Sequence, residues 1–126
     1  MKWTQALCVF FGAGFGALLR WRLGAWFARM WPAFPAGTHA ANLIGCFLIG
    51  VAAGWFESRP DVSQETRLLV TTGFLGGFTT FSAFSLEMAT LLETRSALAI
   101  GLILIKILTC LLLTFAGMWL ARRIAG

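Results

Sequence analysis

The chain has 126 residues, 59% of them hydrophobic and 12% charged, with a mean hydropathy of +0.82. A soluble domain carries about 25% charged residues, so the composition excludes an ordinary soluble enzyme and indicates one integral membrane domain over residues 1–126. The net charge of +5 comes from scattered cations that mostly flank apolar segments, which suits lipid headgroups and gives no nucleic-acid surface.

A membrane-crossing helix needs about 20 predominantly apolar residues. Four segments qualify: 3–27, 38–56, 67–92 and 97–121. The first follows Met1-Lys2 and continues beyond the roughly 7–15 residues of a signal-peptide core, into Arg20 and Arg22, without a cleavage pattern. It is therefore expected to be a retained helix. Its Gly12-x-x-x-Gly16 spacing lets another helix backbone approach closely. Arg20 and Arg22, late in this segment, either rim a vestibule that concentrates anions or meet lipid phosphates. The second segment carries Asn42 near its start and Gly50-x-x-x-Gly54 further on. An amide in hydrocarbon must be bonded, so Asn42 either joins helices or turns its N–H groups to an anion. His39 is expected at the interface.

The third segment holds Gly73-Phe-Leu-Gly-Gly-Phe-Thr-Thr-Phe-Ser-Ala-Phe-Ser85. The Gly76-Gly77 pair weakens a helix, and Thr79-Thr80 can bond to the freed backbone. In a bilayer such a break survives only where protein buries it or where it lines a watery or ionic path. The bland alternative is that the glycines permit a close helix crossing. Phe78, Phe81 and Phe84 share a helical face, with Ser82 and Ser85 beside them at the same spacing. Ring edges carry positive quadrupole density and hydroxyls donate hydrogen bonds, so together they suit a small anion. A phenylalanine packing face, with serines bonded to their own helix, is the other reading.

The fourth segment contains Lys106, with Cys110 and Thr114 following at four-residue steps on one face. A lysine well inside a span is a functional-site candidate. It either attracts anions along that face, snorkels to the interface, or pairs with a carboxylate such as Glu87. Pro32, Pro35 and Pro60 all fall between the segments, as breakers should. Cys8, Cys46 and Cys110 lie in apolar stretches without ligand spacing and read as small packing residues.

Short loops make neighbouring spans antiparallel. One membrane face then receives Lys2, Arg59, Arg67, Arg122 and Arg123, and the other Arg20, Arg22, Arg29 and Arg95. Five against four is a weak orientation bias under the rule that lysine and arginine favour the cytoplasm. Insertion both ways follows, and two opposite copies can close an antiparallel, dual-topology homodimer. No nucleotide fingerprint and no nucleophile–base pair is present, so catalysis is not expected. A compact cation antiporter would need an embedded acid in the first span, where there is none. A non-transporting packing subunit would rest on the glycine spacings alone.

Three motifs together resemble the Fluc (CrcB) family of fluoride channels. They are Gly12-x-Gly14-x-Gly16-Ala17-x-x-Arg20, Gly37-Thr38-x-x-x-Asn42-x-x-Gly45, and the long third-segment motif from Gly73 to Glu87. The resemblance implies an all-α membrane protein of four transmembrane helices per subunit, the third broken in mid-membrane, paired as an antiparallel homodimer with two fluoride pores. It implies passive fluoride export across the bacterial inner membrane, and a structural sodium ion held by main-chain oxygens of Gly76 and Thr79. Phe81 and Phe84 match the pore-lining phenylalanines, Asn42 the pore amide, Arg20 the vestibule position and Glu87 the motif's terminal acid. Ser82, Ser85 and Thr114 join the anion pathway. Lys106 and Cys110 depart from the Ser/Thr track that the family usually carries in its fourth span.

Overall fold

The computed structural model describes residues 2–34 and 36–126, so Pro35 lies outside the described residues. It is helical throughout: α1 (Trp3–Met30), α2 (Ala36–Glu57), α3 (Gln64–Leu68), a π-helical stretch (Leu69–Leu75), α4 (Gly76–Phe78), α5 (Ser82–Thr94) and α6 (Ser96–Ala125). Grouped by apolar length, these make four helices long enough to cross a membrane: Trp3–Met30, Ala36–Glu57, Gln64–Thr94 and Ser96–Ala125. Each outruns the expected segment by a few residues, because helical geometry continues through the polar flanks at Arg29, Gln64, Arg122 and Arg123. The chain is a multi-pass membrane protein.

Its side chains are distributed for a lipid solvent. The buried apolar residues are few and include Ala41, Phe78, Phe84, Met88 and Ala99, while Trp3, Phe10, Phe15, Leu104, Leu112 and Phe115 all face outward. Lipid tails are as apolar as these side chains, so helix association here relies on close backbone packing rather than on hydrophobic burial. The glycines supply that packing in two pairs of helices. A Cβ on Gly12 would stand 2.7 Å from the Leu69 carbonyl oxygen, and one on Gly73 would stand 3.1 Å from that of Cys8. A Cβ on Gly16 would collide with the Phe74 carbonyl, and one on Gly77 with that of Ala13. The Gly12/Gly16 and Gly73/Gly77 spacings therefore face each other and bring α1 against the third crossing.

The second pair is α2 against α6. Gly50 lies on the Thr114 carbonyl, Gly54 on Met118, and Gly117 on the Phe47 carbonyl. An exposed bidentate pair, Arg122 to Glu57 at 2.8 and 2.9 Å, joins the two helices near their ends. Arg67 ties down the turn after α2. Its guanidinium donates to the carbonyls of Phe56, Arg59 and Val62 at 3.2, 2.7 and 3.3 Å, fastening three points of the turn to one side chain. At the start of α3 the Ser63 hydroxyl accepts from Thr66 N–H at 3.2 Å, a side-chain N-cap.

Candidate functional site: the α4–α5 junction

Gly76 keeps helical geometry (φ −62°, ψ −38°), so the glycine pair itself does not interrupt the helix. The change comes at Thr79, which is extended at φ −93°, ψ 157°. Helix resumes at Ser82. Thr79 still closes the preceding turn, its N–H and Oγ1 both donating to the Leu75 carbonyl at 3.0 and 2.9 Å. Its methyl group lies directly on Gly45, where a Cβ would collide with it.

The next backbone groups are taken over by side chains from other helices. In a continuous helix, Thr80 N–H would donate to the Gly76 carbonyl and Phe81 N–H to that of Gly77. Here Thr80 N–H donates to Asn42 Oδ1 at 2.8 Å, and Asn42 Nδ2 donates back to the Thr80 carbonyl at 2.9 Å. Arg20 Nε donates to the Gly77 carbonyl at 3.2 Å. Asn42 thus behaves like a strand edge, offering one acceptor and one donor to a single residue. Because the backbone N–H must meet an oxygen, this pairing also fixes which end of the amide is which. The Thr80 hydroxyl then accepts from Ala83 N–H at 3.3 Å and lies 3.2 Å from Ser82 Oγ, which caps the start of α5.

The sequence candidates divide into two groups. Asn42, Thr79, Phe81, Phe84 and Lys106 border one cavity of about 240 Å³, together with Thr80, Cys46 and Cys110. Phe81 and Phe84 meet edge to face, with centroids 5.9 Å apart. Their exposures differ sharply: Phe84 is 3% exposed and Phe81 73%, so the cavity's aromatic wall opens outward at Phe81. Gly76, Arg20, Glu87, Ser82, Ser85 and Thr114 lie outside the cavity lining. Ser82 and Ser85 face outward. Thr114 Oγ1 is shared between the carbonyls of Cys46 and Cys110 at 3.1 and 3.0 Å. Glu87 Oε1 accepts from Thr38 Oγ1 at 2.9 Å. His39 stacks on Phe34 and meets Phe84 edge to face.

Sequence reasoning treated Cys46 only as a packing residue, placed Cys110 on the Lys106 face as well, and gave Thr80 no separate role. Cys110 stands four residues after Lys106 and so on its face, which is the signal that placed it there. Cys46 had an equivalent one, four residues after Asn42. The Thr38–Glu87 bond had none, since it joins helices that only the fold brings together.

With that geometry in place, likeness to known proteins becomes informative. The family model described as CrcB-like protein, Camphor Resistance (CrcB), matches residues 7–118. The chain belongs to this family. Among its CrcB relatives, the protein named fluoride-specific ion channel FluC from Rhizobium leguminosarum bv. trifolii (strain WSM2304) is 54% identical over 99 residues, covering 78% of this chain and 79% of that one. Those from Tolumonas auensis and Burkholderia ambifaria carry the same name. They are 47% identical over 115 and 117 residues, covering 90% and 92% of this chain and 91% of each relative. The CrcB match takes in α2 entirely and both sides of the α4–α5 junction, so every candidate residue lies inside it.

Proposed function

We propose that the protein is a fluoride-selective ion channel that lets fluoride leave the cell passively through the bacterial inner membrane. The observation that carries this is membership of a family whose similar members, matched over about nine-tenths of the chain in two of the three cases, are named fluoride-specific ion channels. The site chemistry supports it. Fluoride holds its water tightly, so a path must replace that shell with closely placed donors without trapping the ion. An amide NH₂ has two N–H donors; Asn42 spends one on Thr80, leaving the other for the cavity. Phe81 and Phe84 add ring edges.

One chain does not enclose the path, because Phe81 is exposed. An antiparallel second copy would cover it, in keeping with the five-to-four balance of flanking cations. In this reading the α4–α5 junction is a break in mid-membrane, placed near the dimer axis. The fit of a sodium ion can be tested on the backbone. Thr80 N–H is committed to Asn42, so the Gly76 carbonyl loses its helical donor, and a Cβ on Gly76 would meet only Thr71 O at 3.6 Å. A carbonyl oxygen left without its helical donor suits a hard monovalent cation. Gly76 and Thr79 would hold it through main-chain oxygens, where its charge would fasten the two junctions together.

Fluoride and chloride efflux from liposomes carrying the purified protein tests the whole reading. Fluoride is expected to leave and chloride to stay, with flux lost in sodium-free buffer. Equal rates for the two anions would end the selectivity assignment. Phe81→Ile removes an outward ring edge together with its edge-to-face contact on Phe84. It is expected to cut fluoride efflux at least about tenfold, the scale of one lost aromatic contact, with the oligomer unchanged on size exclusion. A wild-type rate in this variant would remove Phe81 from the path.

A further inference from the structure

Lys106 is the one cationic side chain the structure buries, at 8% exposed. Its Nζ lies 3.9 Å from the centroid of the Phe84 ring, over the face. Among the described residues this nitrogen is buried without a hydrogen-bond partner. Glu87 does not supply one: Arg122–Glu57 is the only ion pair within 4.0 Å among the described residues. Snorkelling and a direct ion pair therefore both fail on geometry, while Glu87 acts on the ammonium only from beyond bonding distance.

An ammonium has three donors and no acceptor. The ring face covers one side of this one; the cavity shared with Asn42, Thr80 and Cys110 borders it as well. A buried charge without a directly bonded counter-charge costs several kcal/mol, which the Phe84 ring face and the more distant Glu87 carboxylate offset only in part. The cavity is the place from which an anion could meet the ammonium directly. We infer that Lys106 is an anion-binding residue of the conduction path, holding a small monovalent anion between its ammonium group and the Asn42 amide.

This inference rests on the channel reading and assigns the fluoride a resting position within it. The cation also occupies the negative face of Phe84, so the ring's positive edge is what remains for other contacts. A fixed positive charge at this depth lowers the concentration needed to fill the path and excludes cations from it.

Two measurements test it. Lys106→Met and Lys106→Gln keep the length of the side chain and remove the charge. In liposomes, the fluoride concentration giving half-maximal efflux is expected to rise at least about tenfold in each, a modest share of a charge–charge attraction at short range. An unchanged half-maximal concentration would overturn the assignment. The second measurement needs no change at Lys106. Lys2 and Lys106 are the only lysines, so protein labelled with ¹⁵N-lysine gives two side-chain signals, and Lys2→Arg assigns them. Sodium fluoride is expected to move the Lys106 signal saturably while sodium gluconate leaves it in place. A signal indifferent to fluoride, in protein that conducts fluoride, removes Lys106 from the path and leaves the channel reading standing. Wild-type protein that passes no fluoride at all defeats the channel reading and this inference with it.

Discussion

Replacing Asn42 with aspartate is expected to reduce fluoride efflux to the background of empty liposomes. The substitution is nearly isosteric, and one carboxylate oxygen can still accept Thr80 N–H, so the fold should survive. Two things change at the other oxygen. The donor to the Thr80 carbonyl is lost, and a negative atom is set against a buried oxygen 2.9 Å from the present amide nitrogen. Leaving a buried acceptor unmet costs about 1–3 kcal/mol. The permeating ion feels the substitution more strongly still. A carboxylate about 4 Å from an anion opposes it by about 4 kcal/mol at an effective dielectric of about 20, which is close to a thousandfold in occupancy. The check is efflux from liposomes containing variant protein that still elutes where the wild-type protein does. Flux within a few-fold of wild type would show that the ion does not pass Asn42. Asn42→Ala separates the two effects, because it removes both bonds to Thr80 without adding charge. A junction defect would leave both variants inactive and both poorly folded, whereas ion repulsion leaves aspartate inactive but well folded.

The reach of the amino-acid sequence differed between the scaffold and the site. Four apolar runs separated by Pro32 and Pro60 located the four helices, because crossing a bilayer demands length and apolarity that little else in a chain reproduces. Their ends were underestimated, since flanking polar residues such as Gln64 and Arg122 continue a helix as readily as apolar ones. The third segment was read as unusual at Gly76-Gly77, but the backbone changes at Thr79. Gly77 serves the close approach to Ala13 that the bland reading offered, while Thr80 gives its N–H to Asn42 instead of to the helical ladder. Gly117 was missed because its spacing partner is an alanine, Ala121, rather than a second glycine; both face α2, at Gly50 and Gly54.

What joins the junction together was hidden for one common reason. Asn42–Thr80, Arg20–Gly77 and Lys106–Phe84 each link residues on different helices, and no local period records which faces meet. Composition marked Asn42 and Lys106 as costly in hydrocarbon, which sufficed to nominate them. It could not tell an amide that completes a backbone from one that faces an ion, and the Asn42 group has the donors for both. The π-helical stretch over Leu69–Leu75 also had no sequence signal beyond Thr71, whose hydroxyl bonds back to the Arg67 carbonyl at 2.7 Å.

Gly14→Ala and Gly16→Ala, two residues apart on α1, are expected to have opposite effects. A Cβ on Gly14 meets nothing within 4 Å, so alanine there gains helix propensity, worth up to about 1 kcal/mol. A Cβ on Gly16 would collide with the Phe74 carbonyl and stand 2.7 Å from Phe78 N. Both are backbone atoms of the third crossing and cannot rotate away as a side chain could. Overpacking typically costs about 1–3 kcal/mol, and here it is relieved only by moving one helix off the other. The expected results are a raised or unchanged thermal midpoint for Gly14→Ala and a clearly lowered one for Gly16→Ala, read by the loss of the folded oligomer on size exclusion after heating. The damage should also reach conduction. Arg20 stands one turn beyond Gly16 and donates to the Gly77 carbonyl at 3.2 Å, so separating α1 from the third crossing draws that guanidinium off the junction. Gly16→Ala is thus expected to lose fluoride efflux even at temperatures where it stays folded, and Gly14→Ala to keep it. Equal stability in the two variants would mean that α1 does not meet the third crossing through its Gly12/Gly16 face, and the Arg20 contact would lose its structural basis.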